Sequence, residues 1–197
     1  MASTAILLPK PFISYEEYLA MEFDEECPAE YIDGVVYEFV ATTPTHAQIS
    51  ANLNFDLIPL LRPKGCILYG QNVAIFAGNP PVQCFPDAAV VCGKPAYRDG
   101  RRSLLINPRT IFEILSPSTE GRDRGPKFRR FKRLDSLQEY VLISQDGPTV
   151  EVLRRSENGF WLHKEFSGLD AIVPLLSLDI SLPIAGLYHG VEFGEAV

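Results

Sequence analysis

Pro86-Asp87-Ala88-Ala89-Val90-Val91 and, one loop later, Thr110-Ile111-Phe112-Glu113-Ile114-Leu115 are apolar, β-prone runs that each carry one carboxylate. A carboxylate inside a sheet core costs several kcal/mol or more, on the order of ~5, unless a cation, a metal or good hydrogen bonds compensate. Side chains alternate along a strand, so Ile111, Glu113 and Leu115 share one face while Phe112 and Ile114 take the other. Asp87 follows Pro86, a residue confined to strand starts, edges and bulges, so Asp87 is expected where a strand begins. Two neighbouring carboxylates repel unless one is protonated or a cation lies between them. Hard oxygen ligands suit magnesium, which takes one or two carboxylates and keeps several waters. Asp87, Glu113 and the backbone carbonyl of Ile114 form such a candidate oxygen set.

Length and composition set the frame around these runs. A chain of 197 residues with 46% hydrophobic content fits one ordinary domain with a real core. No apolar run reaches the ~18 residues of a membrane span. The opening Met1-Ala2-Ser3-Thr4-Ala5-Ile6-Leu7-Leu8-Pro9-Lys10 lacks the basic start and long apolar stretch of a signal peptide, so a cytoplasmic protein is expected. Cys27, Cys66, Cys84 and Cys92 contain no CxxC pair and have no histidine at zinc-finger spacing, which reads as buried free thiols rather than a zinc or disulfide framework. The net charge of -7 argues against an unselective nucleic-acid binder. Its distribution is uneven: Glu16 to Glu38 holds nine acids and no Lys or Arg, whereas seven of the twelve residues from Arg122 to Arg133 are basic.

Local signals place the elements. Ser14 with Glu17 three positions on marks the start of a short helix, with Tyr15, Tyr18 and Leu19 on one face. Asp33-Gly34 between β-prone residues predicts a hairpin. From Pro44, the spacing of Ile49, Leu53, Leu57, Leu60 and Leu61 predicts a core-facing helix ending near Arg62-Pro63. Strands are expected within Cys66 to Phe76, Phe85 to Cys92 and Thr110 to Leu115, as the middle of a sheet. Pro126 favours a first helical turn, so a helix is predicted from Pro126 to Leu134, with Phe128, Phe131 and Leu134 as its apolar stripe and Lys127 flanking it toward the sheet. A C-terminal β-meander follows over Glu139 to Ser144, Thr149 to Arg155 and Gly159 to Phe166. A strand over Leu175 to Ile180 and a short helix over Pro183 to Tyr188 complete the chain.

The sparse pattern of Pro-Asp, a strand Glu and a lysine resembles the PD-(D/E)XK nuclease superfamily. The likeness extends through Glu30-Tyr31-Ile32-Asp33-Gly34, Pro44-Thr45-His46, Pro86-Asp87, Phe112-Glu113-Ile114-Leu115-Ser116-Pro117-Ser118-Thr119 and Asp123-Arg124-Gly125-Pro126-Lys127-Phe128. In that order these segments resemble the Uma2 family of restriction-endonuclease-like proteins, over about residues 12 to 190. The resemblance implies a single α/β domain spanning 1–197, with a mixed sheet flanked by helices, acting on DNA with Mg²⁺ or Mn²⁺. It implies Asp87 and Glu113 as metal ligands, Glu30 as a further acid at the site, and a matched but unassigned His46, whose readings are general base, phosphate contact or helix-start hydrogen bonding. The superfamily lysine belongs two residues after the Glu, where this chain has Leu115; the family pattern points to Lys127 as its replacement, orienting the attacking water. Arg124, Arg129 and Arg130 are candidate phosphate contacts, and a homodimer would bring two sites to two strands. Two other readings stay open: a non-catalytic nucleic-acid-binding or regulatory relative of the same fold, and an interaction protein whose carboxylates form structural salt bridges.

Overall fold

A computed structural model describes residues 12–21, 29–38, 42–98 and 104–193. Helix α1 (Tyr15–Ala20) precedes the hairpin β1 (Glu30–Ile32) and β2 (Val35–Tyr37), then the long helix α2 (Pro44–Leu61). Strands β3 (Cys66–Gly70), β4 (Ala74–Ala77), β5 (Val82–Cys84), β6 (Ala88–Cys92), β7 (Leu104–Leu105) and β8 (Thr110–Leu115) follow. A helical segment runs through α3 (Glu120–Arg122), a π-turn (Asp123–Lys127) and α4 (Phe128–Phe131). Strands β9 (Glu139–Ser144), β10 (Thr149–Arg155), β11 (Trp161–Ser167), β12 (Ile172–Leu175) and β13 (Ile180–Pro183) lead to α5 (Ile184–Leu187).

The strands build a six-stranded sheet in the order β11-β10-β9-β8-β6-β3, a five-stranded sheet in the order β2-β1-β5-β4-β7, and the ribbon β12-β13. In the larger sheet only β8 and β9 run parallel. Parallel neighbours need a crossover of a dozen or more residues, usually helical, and the segment from α3 to α4 is that crossover. The topology therefore carries this segment across one face of β8.

Both faces of the large sheet are covered, and β8 is buried along its whole length. Phe112 and Ile114 pack with Ile49, Leu53, Leu57 and Leu61 of α2 and with the ribbon and α5. Ile111 and Leu115 face the other way, against Ile32, Ile75 and Val82 of the smaller sheet and Phe131 of the crossover. Glu113 shares that second face by alternation and lies between the two sheets and the crossover.

Several expectations hold in detail. Ser14 and Glu17 form a reciprocal capping box on α1, and Asp33 and Gly34 turn the hairpin with φ of 53° and 83°. The β9-β10-β11 meander is present. Other expectations are corrected. Leu19 and Leu60 are exposed, because each sits at the rim of its helix's buried face. The runs read as one sheet centre divide between two sheets, with β4 in the smaller one, and β5 is a strand the sequence reading did not predict. Residues 176–179 form the turn between β12 and β13 rather than a continuing strand. Cys66 and Cys92, directly paired across β3 and β6, form a disulfide; Cys84 is free and buried, and Cys27 lies outside the described residues.

The crossover departs most from expectation: it begins at Glu120, and Pro126 lies inside it. Proline has no N–H to donate and its ring clashes with the carbonyl four residues back, here that of Arg122. A widened π-turn removes that conflict without ending the helix. On the opposite side of β8, α2 depends on its fully buried leucines. Leu57→Ala is expected to lower the unfolding free energy by about 2–5 kcal/mol, seen as a lower urea midpoint with an unchanged slope.

Candidate active site

The antiparallel ladder between β6 and β8 ends at the Ala88–Phe112 pair. Beyond it, Asp87 takes the place of a strand partner: its Oδ2 accepts the Ile114 N–H at 2.7 Å. One residue's N–H and C=O leave the same side of a strand, so the Ile114 carbonyl shares the edge on which Asp87 lies. His46, in the first turn of α2, brings Nε2 to 3.2 Å from Asp87 Oδ1. The helix start that positions it is capped by Thr43, whose hydroxyl accepts the His46 N–H. Asp87, Glu113, Ile114, His46, Glu30 and Lys127 all line one cavity.

Its floor is a buried charge cluster. Lys127 Nζ lies 3.0 Å from Glu30 Oε1, 3.1 Å from Glu113 Oε1 and 3.1 Å from Asp123 Oδ1. Of these ion pairs the one to Glu113 is also a hydrogen bond, whereas Asp123 Oδ1 is buried without a hydrogen-bond partner. Glu113 is 2% exposed and Lys127 3%, so the contacts are hardly screened. The buried Tyr140 hydroxyl donates to the Asp123 carbonyl at 3.0 Å and lies 3.4 Å from Glu113 Oε1. Glu30 also accepts the Phe85 N–H at 3.0 Å and faces Arg122 Nε at 3.3 Å.

Burial is the main cause holding the Glu113 carboxyl well above the usual carboxylate range; Lys127 opposes it, and Asp123, Asp87 and Glu30 reinforce it. Burial alone would lower Lys127, but Glu113, Glu30 and Asp123 outweigh it and lift its pKa well above the usual lysine value. Glu30, Glu38, Asp87, Glu113 and Asp123 thus line one cavity with two cations, Lys127 and Arg122. That excess of negative charge and the all-oxygen donor set fit a hard divalent cation. Lys127 and Tyr140 both engage Oε1 of Glu113, and Oε2 has no protein donor among the described residues. No group of three or more His, Cys, Asp or Glu among the described residues has the arrangement of a complete metal cage; magnesium needs only one or two carboxylates.

The structure thus brings Asp87, Glu113, Ile114, Glu30, His46 and Lys127 together. The three candidate phosphate-contact arginines lie apart from this group and have partners of their own. Arg124 pairs with Glu120 and Glu151, Arg130 pairs with Asp33, and the more exposed Arg129 lies 3.6 Å from Asp33. Sequence reasoning missed Asp123, Tyr140 and the Arg122–Glu30 pair. The spacing of Asp123 and Lys127, four residues apart, was the available signal, but a helix taken to start at Pro126 leaves Asp123 outside it.

A mixed α+β fold is shared with a solved structure, titled a "putative nuclease belonging to DUF820", from Anabaena variabilis. The TM-score is 0.75 at 22% identity, covering 91% of this chain and 99% of that one. Residues 15–185 match the Uma2 family, described as "Putative restriction endonuclease", and the chain belongs to that family. It is 31% identical over 186 residues to uncharacterized protein slr1290 of Synechocystis sp., covering 94% of this chain and 96% of that protein. A second uncharacterized Synechocystis protein, sll1609, is 28% identical over 156 residues, covering 79% of this chain and 88% of its own length.

Removing Lys127 would leave three buried carboxylates without their common cation. Lys127→Met is expected to cost about 3–5 kcal/mol of stability at about pH 8, measured by urea unfolding. Glu113 carries a folded pKa above its unfolded value, so its favourable contribution is complete below the ordinary carboxylate range and is lost as pH rises through the raised value. Loss of the lysine raises that value further. The deficit of Lys127→Met should therefore shrink toward about pH 5, and a deficit independent of pH would contradict the charge account.

Proposed function

We propose that the chain is a divalent-metal-dependent endodeoxyribonuclease. The observation that carries this reading is that Asp87, just before β6, and Glu113 of the neighbouring β8 line the same cavity as a buried lysine delivered by the crossover. Asp87, Glu113 and the Ile114 carbonyl would hold Mg²⁺ or Mn²⁺. When bound, such an ion supplies Lewis acidity toward the phosphodiester and its attacking water.

The remaining tasks belong to the chain. His46 and the Ile114 N–H hold Asp87 in place from two directions. Lys127 fixes Glu113 Oε1, stays charged, and orients the attacking water by releasing one of its carboxylate contacts. Glu30 holds Lys127 from the smaller sheet, so the lysine bridges β1 and β8 across the cavity. The enclosure of Lys127 by three carboxylates within 3.1 Å favours a second reading, a DNA-binding relative without turnover.

Supercoiled plasmid incubated with the protein and Mg²⁺ or Mn²⁺ should be nicked or linearised, and EDTA should stop it. Linear product at low turnover would indicate paired sites, as in a homodimer, whereas nicking indicates one. Glu113→Gln and Asp87→Asn should each lose at least about 100-fold, beyond what an outer partner of a ligand typically costs. Equal cleavage by wild type and Glu113→Gln would identify a contaminant and overturn the enzyme reading. DNA binding with no metal-dependent cleavage would favour the non-catalytic reading.

A further inference from the structure

Resting on the nuclease reading, we infer that Arg122 is the group that receives the nucleic-acid phosphate in this cavity. Arg122 closes α3 and lines the cavity together with Asp87, Glu113 and Lys127. Lys127 and Arg122 are the only Lys or Arg among the described residues that line it. A phosphodiester approaching five carboxylates needs a cation it can reach, and the two lining cations differ in this respect. Lys127 is 3% exposed and enclosed by three carboxylates within 3.1 Å, with a hydrogen bond to Glu113, so a phosphate cannot reach its ammonium without displacing one of them.

Arg122 is held but not consumed. Its Nε, buried and without a hydrogen bond, faces Glu30 Oε2 at 3.3 Å. The guanidinium carbon lies 4.7 Å from the centroid of the Tyr37 ring, within cation–π range. Nη1 and Nη2 make no hydrogen bond with any described residue, while the side chain keeps 18% of its surface exposed. A guanidinium presents its N–H groups as a rigid planar fork that matches two phosphate oxygens. One edge is fixed by a carboxylate and one face by an aromatic ring, so little further freedom is lost when a phosphate binds. Glu30 is itself anchored by the Phe85 N–H and by Lys127, which ties the fork to the same scaffold as Glu113.

The test is binding of a fluorescein-labelled single-stranded oligonucleotide by anisotropy, with Ca²⁺ in place of Mg²⁺, across about 50 to 200 mM NaCl. Arg122→Met should weaken binding about 10- to 100-fold, the loss of a hydrogen-bonded charge. Its slope of log affinity against log salt should be smaller by about 0.7, one phosphate contact on a single strand. Arg122→Lys keeps the charge and loses the fork, so it should restore the slope but not the affinity. Lys94→Met removes a charge beyond the opposite end of β6 from Asp87 and should change neither. If Arg122→Met fails to melt cooperatively, Arg122→Lys alone is read, and full affinity there overturns the inference.

Wild-type affinity in both Arg122 variants of a protein that cleaves plasmid overturns the inference and leaves the nuclease reading standing. An equal loss in Lys94→Met, or no oligonucleotide binding by wild type, also overturns it. Arg122-dependent binding without cleavage by wild type supports it while removing the nuclease reading.

Discussion

One ammonium group held among three carboxylates governs this site. Taking Lys127, Glu30, Glu113 and Asp123 out of water costs several kcal/mol per ion, on the order of ~5, and their mutual attraction offsets this only with good geometry. The geometry comes from topology. The parallel pairing of β8 and β9 demands a crossover, the crossover covers the face of β8 that carries Glu113, and Pro126 imposes a π-turn there. An extra residue in a helical turn advances the phase of all that follows by about 100°. Lys127 and Phe131, four residues apart and so on one helix face, are both buried, one against Glu113 and the other in the core between the sheets.

The same contacts join distant parts of the chain. Glu30 comes from the smaller sheet, Glu113 from the larger, and Asp123 and Lys127 from the crossover. Acidic and basic blocks that are far apart in sequence meet here and at the neighbouring Asp33, which takes Arg130 and Arg129. Much of the basic segment therefore neutralises this protein's own carboxylates. Charge that is already paired releases few counterions when DNA arrives, so a segment that looks like a DNA-binding stripe is chiefly an internal electrostatic seam. Arg122 differs because its partner occupies one edge and leaves the remainder of the fork open.

Where periodicity alone decides, the sequence was legible: the alternation of β8, the buried stripe of α2, the capped α1, the Asp33-Gly34 hairpin and the meander. Asp87 and Glu113 were legible because a charge in an apolar pattern is conspicuous, whereas Lys127, one of seven basic residues in its segment, stood out through the family resemblance. What could not be read depends on tertiary encounter. Nothing local shows that Pro126 is absorbed inside a helix, because proline at a first turn is the cheaper arrangement in isolation. Nothing local assigns Arg124 to Glu151 or Arg122 to Glu30, whose partners lie in other elements. Cys66 and Cys92 meet because β3 and β6 pair in that register, and a register between strands is not written in the spacing of two cysteines.

The absence of a lysine two residues after Glu113 also has a structural reading. Residues two apart on a strand share a face, so a lysine at position 115 would approach Glu113 from within β8, on the side that faces the smaller sheet. Leu115 instead packs there with Ile111 and Phe131 in a continuous apolar layer. The crossover passes over that same face and lowers Lys127 onto Glu113 Oε1 from above. A cation can thus reach one carboxylate by either route, and the second route frees position 115 for the core. It also adds a constraint that the first lacks: a lysine on the crossover ties the packing of the helix to the position of the carboxylate. The register of α3, the π-turn and α4 on the sheet then becomes part of the site itself.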